Sequence, residues 1–274
     1  MGAFRKLLYV HQNGYRLMTL STLPPAAKIY SSLDAALDQR RSHGGTALAP
    51  CVALVGCDGS GKSSLARDLT AMLDREAPTR SMYLGTGTGD LGRRIGQLPL
   101  IGGLVERFLS TKASKAHAGS DKRLPGLPTA LVMFAFSLVR RRRFARMLDL
   151  RRHGIRVVSD RYPQAELPGR FDGPSLAWTR RGSALVERLA RRERDIYRDM
   201  AAYRPDLVIR LNVDVDTALA RKADHDRELL QSKLATVPTL RFAGARIVDV
   251  DATRPYPEVL ATVHDLMRQE ALAA

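Results

Sequence analysis

The sequence predicts an α/β fold: a parallel sheet of five strands with helices on both faces, preceded by a small extension made of a β-hairpin and a short helix. Three observations carry this. A short apolar run at 51–55 leads through a glycine-rich turn into a helical stripe. From residue 50 onward, short apolar runs alternate with helix-period segments, the pattern of a parallel sheet covered on both sides. A length of 274 residues with 45% apolar composition suits one sizeable α/β domain with an appendage.

Residues 1–48 form the extension. Apolar runs at 7–10 and 15–20 flank the turn signal Asn13-Gly14 and predict a hairpin. A short helix is expected over 32–41, with Leu33 and Leu37 on one face, and Ser42-His43-Gly44-Gly45 reads as a linker.

The main domain spans 49–274. Its first strand, 51–55, enters Gly56-Cys57-Asp58-Gly59-Ser60-Gly61-Lys62-Ser63, which fits G-x-x-x-x-G-K-[ST] at every required position. Leu65, Leu69, Met72 and Leu73 form the helical stripe that follows, stopping before Pro78. The second strand, 80–84, ends at Gly85-Thr86-Gly87-Thr88-Gly89, read as a flexible loop over a binding site, and a mobile segment is expected around 110–126. A long helix over 128–153 is closed by Gly154. The run Arg140-Arg141-Arg142-Arg143 interrupts its apolar first half. It marks either an anionic membrane surface or nucleic acid, or a core helix emerging into solvent.

The third strand, 155–159, delivers Asp160-Arg161-Tyr162 to its C-terminal end, where ligands collect in open α/β sheets. A helix over 184–203 carries the stripe Leu185, Leu189, Ile196 and Met200. The fourth strand is 206–213. A helix opens at Asp214 and continues through the charge-dense stretch to 227. The fifth strand is 245–250, and a final helix runs over 257–270.

The glycine loop carries the chemistry. In the P-loop NTPase three-layer sandwich that these elements predict, Gly56, Asp58, Gly59, Ser60, Gly61, Lys62, Ser63 and Ser64 stand at a helix N-terminus. There, inward N–H groups and the helix dipole hold a polyphosphate. Lys62 is expected on the β- and γ-phosphates of a nucleoside triphosphate and the Ser63 hydroxyl on Mg²⁺. Asp160 is placed to hold Mg²⁺ with Ser63 or to accept a proton. Arg161 offers a planar fork for an acceptor phosphate or the transferring phosphoryl group. The alternative for Asp160-Arg161 is a local ion pair capping the strand.

Composition bounds the partners. Of the net charge of +16, residues 91–200 supply most, with 24 Lys/Arg against 10 Asp/Glu. Such a field favours an anionic partner, whether a phosphorylated acceptor, an acidic glycan or lipid surface, or nucleic acid; a solvated arginine-rich surface is the alternative. No secretory leader and no membrane span is visible, and the longest apolar run, 130–139, is half the length a span needs. Cys51 and Cys57 read as reduced thiols in a cytoplasmic protein, and no Cys/His cluster suggests a structural metal.

Taken together, the phosphate loop, Asp160-Arg161-Tyr162, the segment PDLVIRLNVDVDTALARK and the segment VDVDATRPYPEV resemble thymidylate kinase and its relatives over about residues 50–270. The resemblance implies an ATP·Mg²⁺-dependent phosphotransferase with a five-stranded parallel sheet and a mobile lid, placed around 220–235. It places Asp58 toward the acceptor's sugar, Arg221 and Arg227 among the lid arginines, with Lys222 and Lys233 as lesser candidates, and Thr253 and Arg254 against adenine.

The acceptor half departs from that family. Phe134-Ala135-Phe136-Ser137-Leu138 lacks the arginine that holds the nucleotide, and residues 163–170 lack the serines and the Tyr-Gln pair that hold the base. The expected acceptor is therefore a nucleoside monophosphate read in a different way, or else a sugar or glycan-linked acceptor. A P-loop ATPase or regulatory module without a small acceptor is the remaining alternative, and a homodimer is compatible with all three.

Overall fold

The computed structural model describes residues 6–11, 14–19, 48–86, 125–169, 171–176, 183–222 and 227–273. The chain divides into two compact units, Met1–Ala47 and Leu48–Ala274.

In the first unit, β1 (Lys6–His11) and β2 (Gly14–Thr19) pair antiparallel, with Lys6 opposite Thr19 and His11 opposite Gly14. Gly14, read from the sequence as half of the turn, instead opens β2. The helix expected at 32–41 and the linker at 42–45 lie outside the described residues.

The second unit is built on β3 (Cys51–Gly56), β4 (Thr79–Tyr83), β5 (Arg156–Asp160), β6 (Leu207–Asn212) and β7 (Arg246–Asp251). They form one sheet in the order β4-β5-β3-β6-β7, parallel at every pairing. The five expected strands are thus present, each shifted by a residue or so. β3 is central and its first five residues are buried, which is why it reads as an unbroken apolar run rather than an alternation. The strand order reverses at β3, and a crevice opens at such a point beyond the C-terminal strand ends.

Around the sheet lie α1 (Lys62–Leu73), α2 (Leu127–Arg152), α3 (Ala184–Ala201), α4 (Val215–Arg221), α5 (Arg227–Thr236) and α6 (Tyr256–Ala273). Leu65, Leu69 and Leu73 of α1 share one core with Val259, Val263 and Met267 of α6 and with Leu54, Ile209, Leu211 and Val250 of the strands. α2 packs beside α3 and against β4 and β5.

Three sequence expectations are corrected here. On α3, Leu185 is 58% exposed, and the buried stripe is Val186, Ala190, Glu193, Ile196, Tyr197 and Met200. A charged residue inside that stripe hides it from an apolar count. Glu193 is tolerated because its carboxylate accepts from Ser137 Oγ at 2.5 Å, Ser175 N at 3.0 Å and Leu176 N at 2.6 Å.

The helix opening at Asp214 does not run to 227. Asp214 caps α4 by accepting from Thr217 N at 2.7 Å, α4 ends at Arg221, and α5 begins at Arg227. α5 buries Leu230 completely in the main core.

Within the run Arg140–Arg143, Arg140 is only 1% exposed, so this part of the run neither emerges into solvent nor forms a docking surface. It lies on the apolar face, four residues from both Phe136 and Phe144. Residues 87–124, which hold most of the expected mobile segment, lie outside the described residues. Among the described residues, no helix is long and apolar enough to cross a membrane.

Candidate active site

The site begins where β3 delivers its chain into α1. Gly59 and Gly61 have φ of +84° and +86°, the left-handed region that glycine enters without strain. A Cβ on Gly59 would lie 2.7 Å from the Ala218 carbonyl oxygen, so α4 also needs glycine there. Gly61 is the N-cap of α1 and makes no side-chain capping bond to the first-turn N–H groups, which include those of Ser63 and Ser64. Ser60 Oγ donates to Cys57 O at 2.9 Å and fastens the loop to itself.

Lys62 is buried, and its ammonium donates to Cys57 O at 2.5 Å and to Ser60 Oγ at 3.3 Å. Burial, reinforced by the charge of Arg161, pushes the Lys62 ammonium pKa down to about 8. Cys51 and Cys57 are free and buried, and burial pushes the Cys51 thiol up to about 12.

Beside the loop, β5 pairs Asp160 with Leu54 of β3. That register brings the Asp160 carboxylate to the start of α1, where Ser63 Oγ donates to Oδ2 at 2.6 Å. The other oxygen, Asp160 Oδ1, is buried and has no hydrogen-bond partner among the described residues.

Arg161 turns sharply away from the strand with φ of 70°. Its Nη2 donates to Asp58 Oδ1 at 3.2 Å, and its Nη1 lies 3.6 Å from Asp172 Oδ2. Asp58 Oδ2 also receives the ammonium of Lys233 from α5. Burial pushes the Asp58 carboxyl up, but Lys233 and Arg161 together outweigh it and hold the group well below the usual carboxylate range.

The structure therefore gathers Asp58, Lys62, Ser63, Asp160, Arg161 and Lys233, the last a lesser sequence candidate. The other residues expected in a lid stand elsewhere. Arg221 Nη1 donates to Ala252 O at 2.8 Å, which sets it beside Thr253 and Arg254. Thr253 N and Oγ1 donate to Asp251 Oδ1 at 2.9 and 2.6 Å, and Arg254 pairs with Glu258 at 2.7 Å. Arg227 pairs with Asp216 of α4 at 2.5 Å, and Lys222 caps α4 at the surface.

Sequence reasoning missed Asp172 and the inward role of Arg140. Arg140's spacing from Phe136 and Phe144 is a signal that could have found it. Asp172, in a segment rich in glycine and proline, carries none.

No protein-family model matches the chain. It is 45% identical over 210 residues to the uncharacterized ATP-binding protein YghS of Escherichia coli K12, an alignment covering 76% of this chain and 88% of that protein. It is 42% identical over 210 residues to the uncharacterized ATP-binding protein YghR of the same strain, covering 76% and 83%. At this identity and coverage, the chain belongs to the family of ATP-binding proteins that contains YghS and YghR.

Proposed function

We propose that this protein is an ATP- and Mg²⁺-dependent phosphotransferase of the thymidylate kinase-like class, handing the γ-phosphate to a nucleoside monophosphate whose base is read by residues other than that family's. The observation that carries the reading is the bridge from Arg161 to Asp58. It ties a guanidinium at the end of β5 to the phosphate loop, a join that a pure triphosphate switch does not need.

The donor side is supported by the loop. Its glycines and the uncapped start of α1 suit a polyphosphate, and Lys62 has only to exchange a loop carbonyl for phosphate oxygens. ATP is the triphosphate the relatives' names indicate.

Mg²⁺ takes oxygen ligands and keeps several waters. Ser63 Oγ and the Asp160 carboxylate are adjacent oxygens, and the unpartnered, buried Oδ1 of Asp160 suits a cation or its water, so the residues fit the ion. Bound there, Mg²⁺ supplies neutralisation of charge on the β- and γ-phosphate oxygens.

On the acceptor side, Arg161 orients the incoming group or the transferring phosphoryl, and Asp58 accepts from an acceptor hydroxyl in exchange for Arg161 or Lys233. Arg221 and the turn at Thr253-Arg254 suit the adenine end of the donor.

The test is ATP consumption by the purified chain with Mg²⁺, alone and with a panel of nucleoside monophosphates and sugars. Stimulation by a nucleoside monophosphate is the expected result. Stimulation by a sugar instead replaces the acceptor class. Hydrolysis indifferent to every acceptor, but raised by DNA or RNA, overturns phosphotransfer.

A further inference from the structure

We propose that Asp172 is a positioning residue: it fixes the guanidinium plane of Arg161 beside the phosphate loop, and Arg140 holds Asp172 in place from within the helical layer. This rests on the acceptor-side role given to Arg161 above.

Arg161 is a long side chain, 34% exposed, that must present a planar fork in one orientation. Its two terminal amino groups go to different carboxylates, Nη2 to Asp58 at 3.2 Å and Nη1 to Asp172 at 3.6 Å. The hydrogen bond from Nη2 holds one end of the rigid fork, and the Asp172 charge near Nη1 favours the one orientation in which both ends face a carboxylate. The charge of Asp172, with that of Asp58, raises the Arg161 pKa, so both carboxylates act on that guanidinium.

Asp172 is itself held in an unfavourable backbone conformation. It has φ of 64° and follows Phe171 at 42°, two consecutive non-glycine residues in the left-handed region. Arg140 secures it twice, with Nη2 2.8 Å from Asp172 Oδ1 and Nη1 donating to the Asp172 carbonyl at 3.0 Å. Gln164 secures its neighbour, with Nε2 donating to Phe171 O at 3.1 Å. On the other side, Ser175 N and Leu176 N donate to the buried Glu193 carboxylate.

Arg140 lies across the Tyr197 ring, its Cζ 5.5 Å from the centroid, and belongs to α2. Burying a guanidinium between two helices carries a desolvation cost. Here that cost places one carboxylate, through rigid elements, at the far end of Arg161.

A simple staple of the 171–176 segment onto α2 would use the same Arg140–Asp172 pair but would leave Arg161 indifferent to it. The two are separated on the full chain labelled with ¹⁵N-arginine, the Arg161 Nε–H signal being identified by its loss in Arg161→Lys. In Asp172→Asn, rotation about the Arg161 Nε–Cζ bond is expected to quicken about tenfold or more. Binding of a fluorescent ATP analogue is expected to stay unchanged.

Acceptor-stimulated turnover is expected to fall about 10- to 100-fold in Asp172→Asn, and the same change made in Arg161→Ala is expected to cost nothing further. An Arg161 signal untouched by Asp172→Asn, or losses that multiply independently, overturns the proposal. If Asp172→Asn does not fold, Asp172→Glu decides. It keeps the charge but displaces it by one methylene, so the Arg161 signal must move. If no acceptor stimulates turnover, phosphotransfer fails, and the Arg161 signal still decides positioning.

Discussion

Ser63 Oγ donates to Asp160 Oδ2 at 2.6 Å, joining residues 97 positions apart in sequence. Two adjacent parallel strands make the contact: β3 feeds the loop that starts α1, and β5 ends on the carboxylate. The pair brings together two oxygens that, on the proposed reading, would hold Mg²⁺. Asp160→Asn keeps the shape and removes the charge. The dependence of ATP binding on Mg²⁺ is expected to weaken about 10- to 100-fold, while binding of the metal-free nucleotide persists. Titration of a fluorescent ATP analogue at several Mg²⁺ concentrations measures both. Unaltered Mg²⁺ dependence would remove Asp160 from the proposed metal site.

Lys62 gives a pH signature. Burial and the Arg161 charge both disfavour the ammonium, so the free protein loses this proton as pH rises through about 8, well below the ordinary lysine range. Phosphate binding requires the charged form. ATP affinity is therefore expected to fall above about pH 8 and to be accompanied by proton uptake, seen calorimetrically in buffers of different ionisation heat. Arg161→Ala removes one of the two causes and is expected to move the midpoint upward. Lys62→Ala is expected to abolish triphosphate binding. A flat affinity profile through pH 9 would count against a neutralisable Lys62.

The phosphate-loop half of the candidate site was legible in the sequence because its requirements are local. Gly59, Gly61, Lys62 and Ser63 lie within five consecutive positions, and the apolar run before them has only one role in a parallel sheet. The half around Asp58 and Arg161 was legible only in part. Asp58 and Arg161 stood out beside recognisable motifs, whereas Asp172 joins them through a contact between distant segments that leaves no periodic mark. On α3, Ile196 and Met200 were legible as inward, whereas the exposed Leu185 stood in for the buried Val186 and the charge of Glu193 hid its place on the inward face. Of the cations expected in a lid, Lys233 reaches the loop because α4 stops at Arg221 and a second helix redirects the chain, a break that a dense run of charge does not announce.

Arg151 supplies a control remote from the chemistry. Nearly buried at the end of α2, it donates to Ala49 O at 2.6 Å and to Asp206 Oδ2 at 2.8 Å, and that same carboxylate oxygen accepts from Cys51 N at 2.7 Å. The cluster ties the start of β3 to the start of β6 at the end of the sheet opposite the phosphate loop. Asp206 is half-exposed, so the cost of breaking the pair lies below that of a fully buried one. Arg151→Ala is expected to lower stability by about 2 kcal/mol, or the melting temperature by about 4–8 °C, with ATP affinity unchanged below the transition. Loss of ATP affinity in a folded variant would show that the two ends of the sheet are coupled.

α5 is held to the domain in two ways that a pair of substitutions separates. Leu230 is fully buried in the main core, while Lys233, 25% exposed, meets Asp58 at the phosphate loop. Deleting a buried leucine side chain loses transfer energy and leaves a cavity, so Leu230→Ala is expected to cost about 2–5 kcal/mol. Lys233→Ala removes a partly exposed ion pair, and its partner retains Arg161, so the expected cost is under about 1 kcal/mol. The Asp58 contribution has a fixed sign with pH. Its carboxyl is held below the ordinary value when folded, so the stabilisation is present at neutral pH and fades only as pH falls beneath the unfolded carboxylate range. Melting curves at pH 7 are therefore expected to rank Leu230→Ala far below Lys233→Ala. A reversed order would mean that the ion pair, rather than the core, fastens α5, making it a strap that any ligand competing for Asp58 could release.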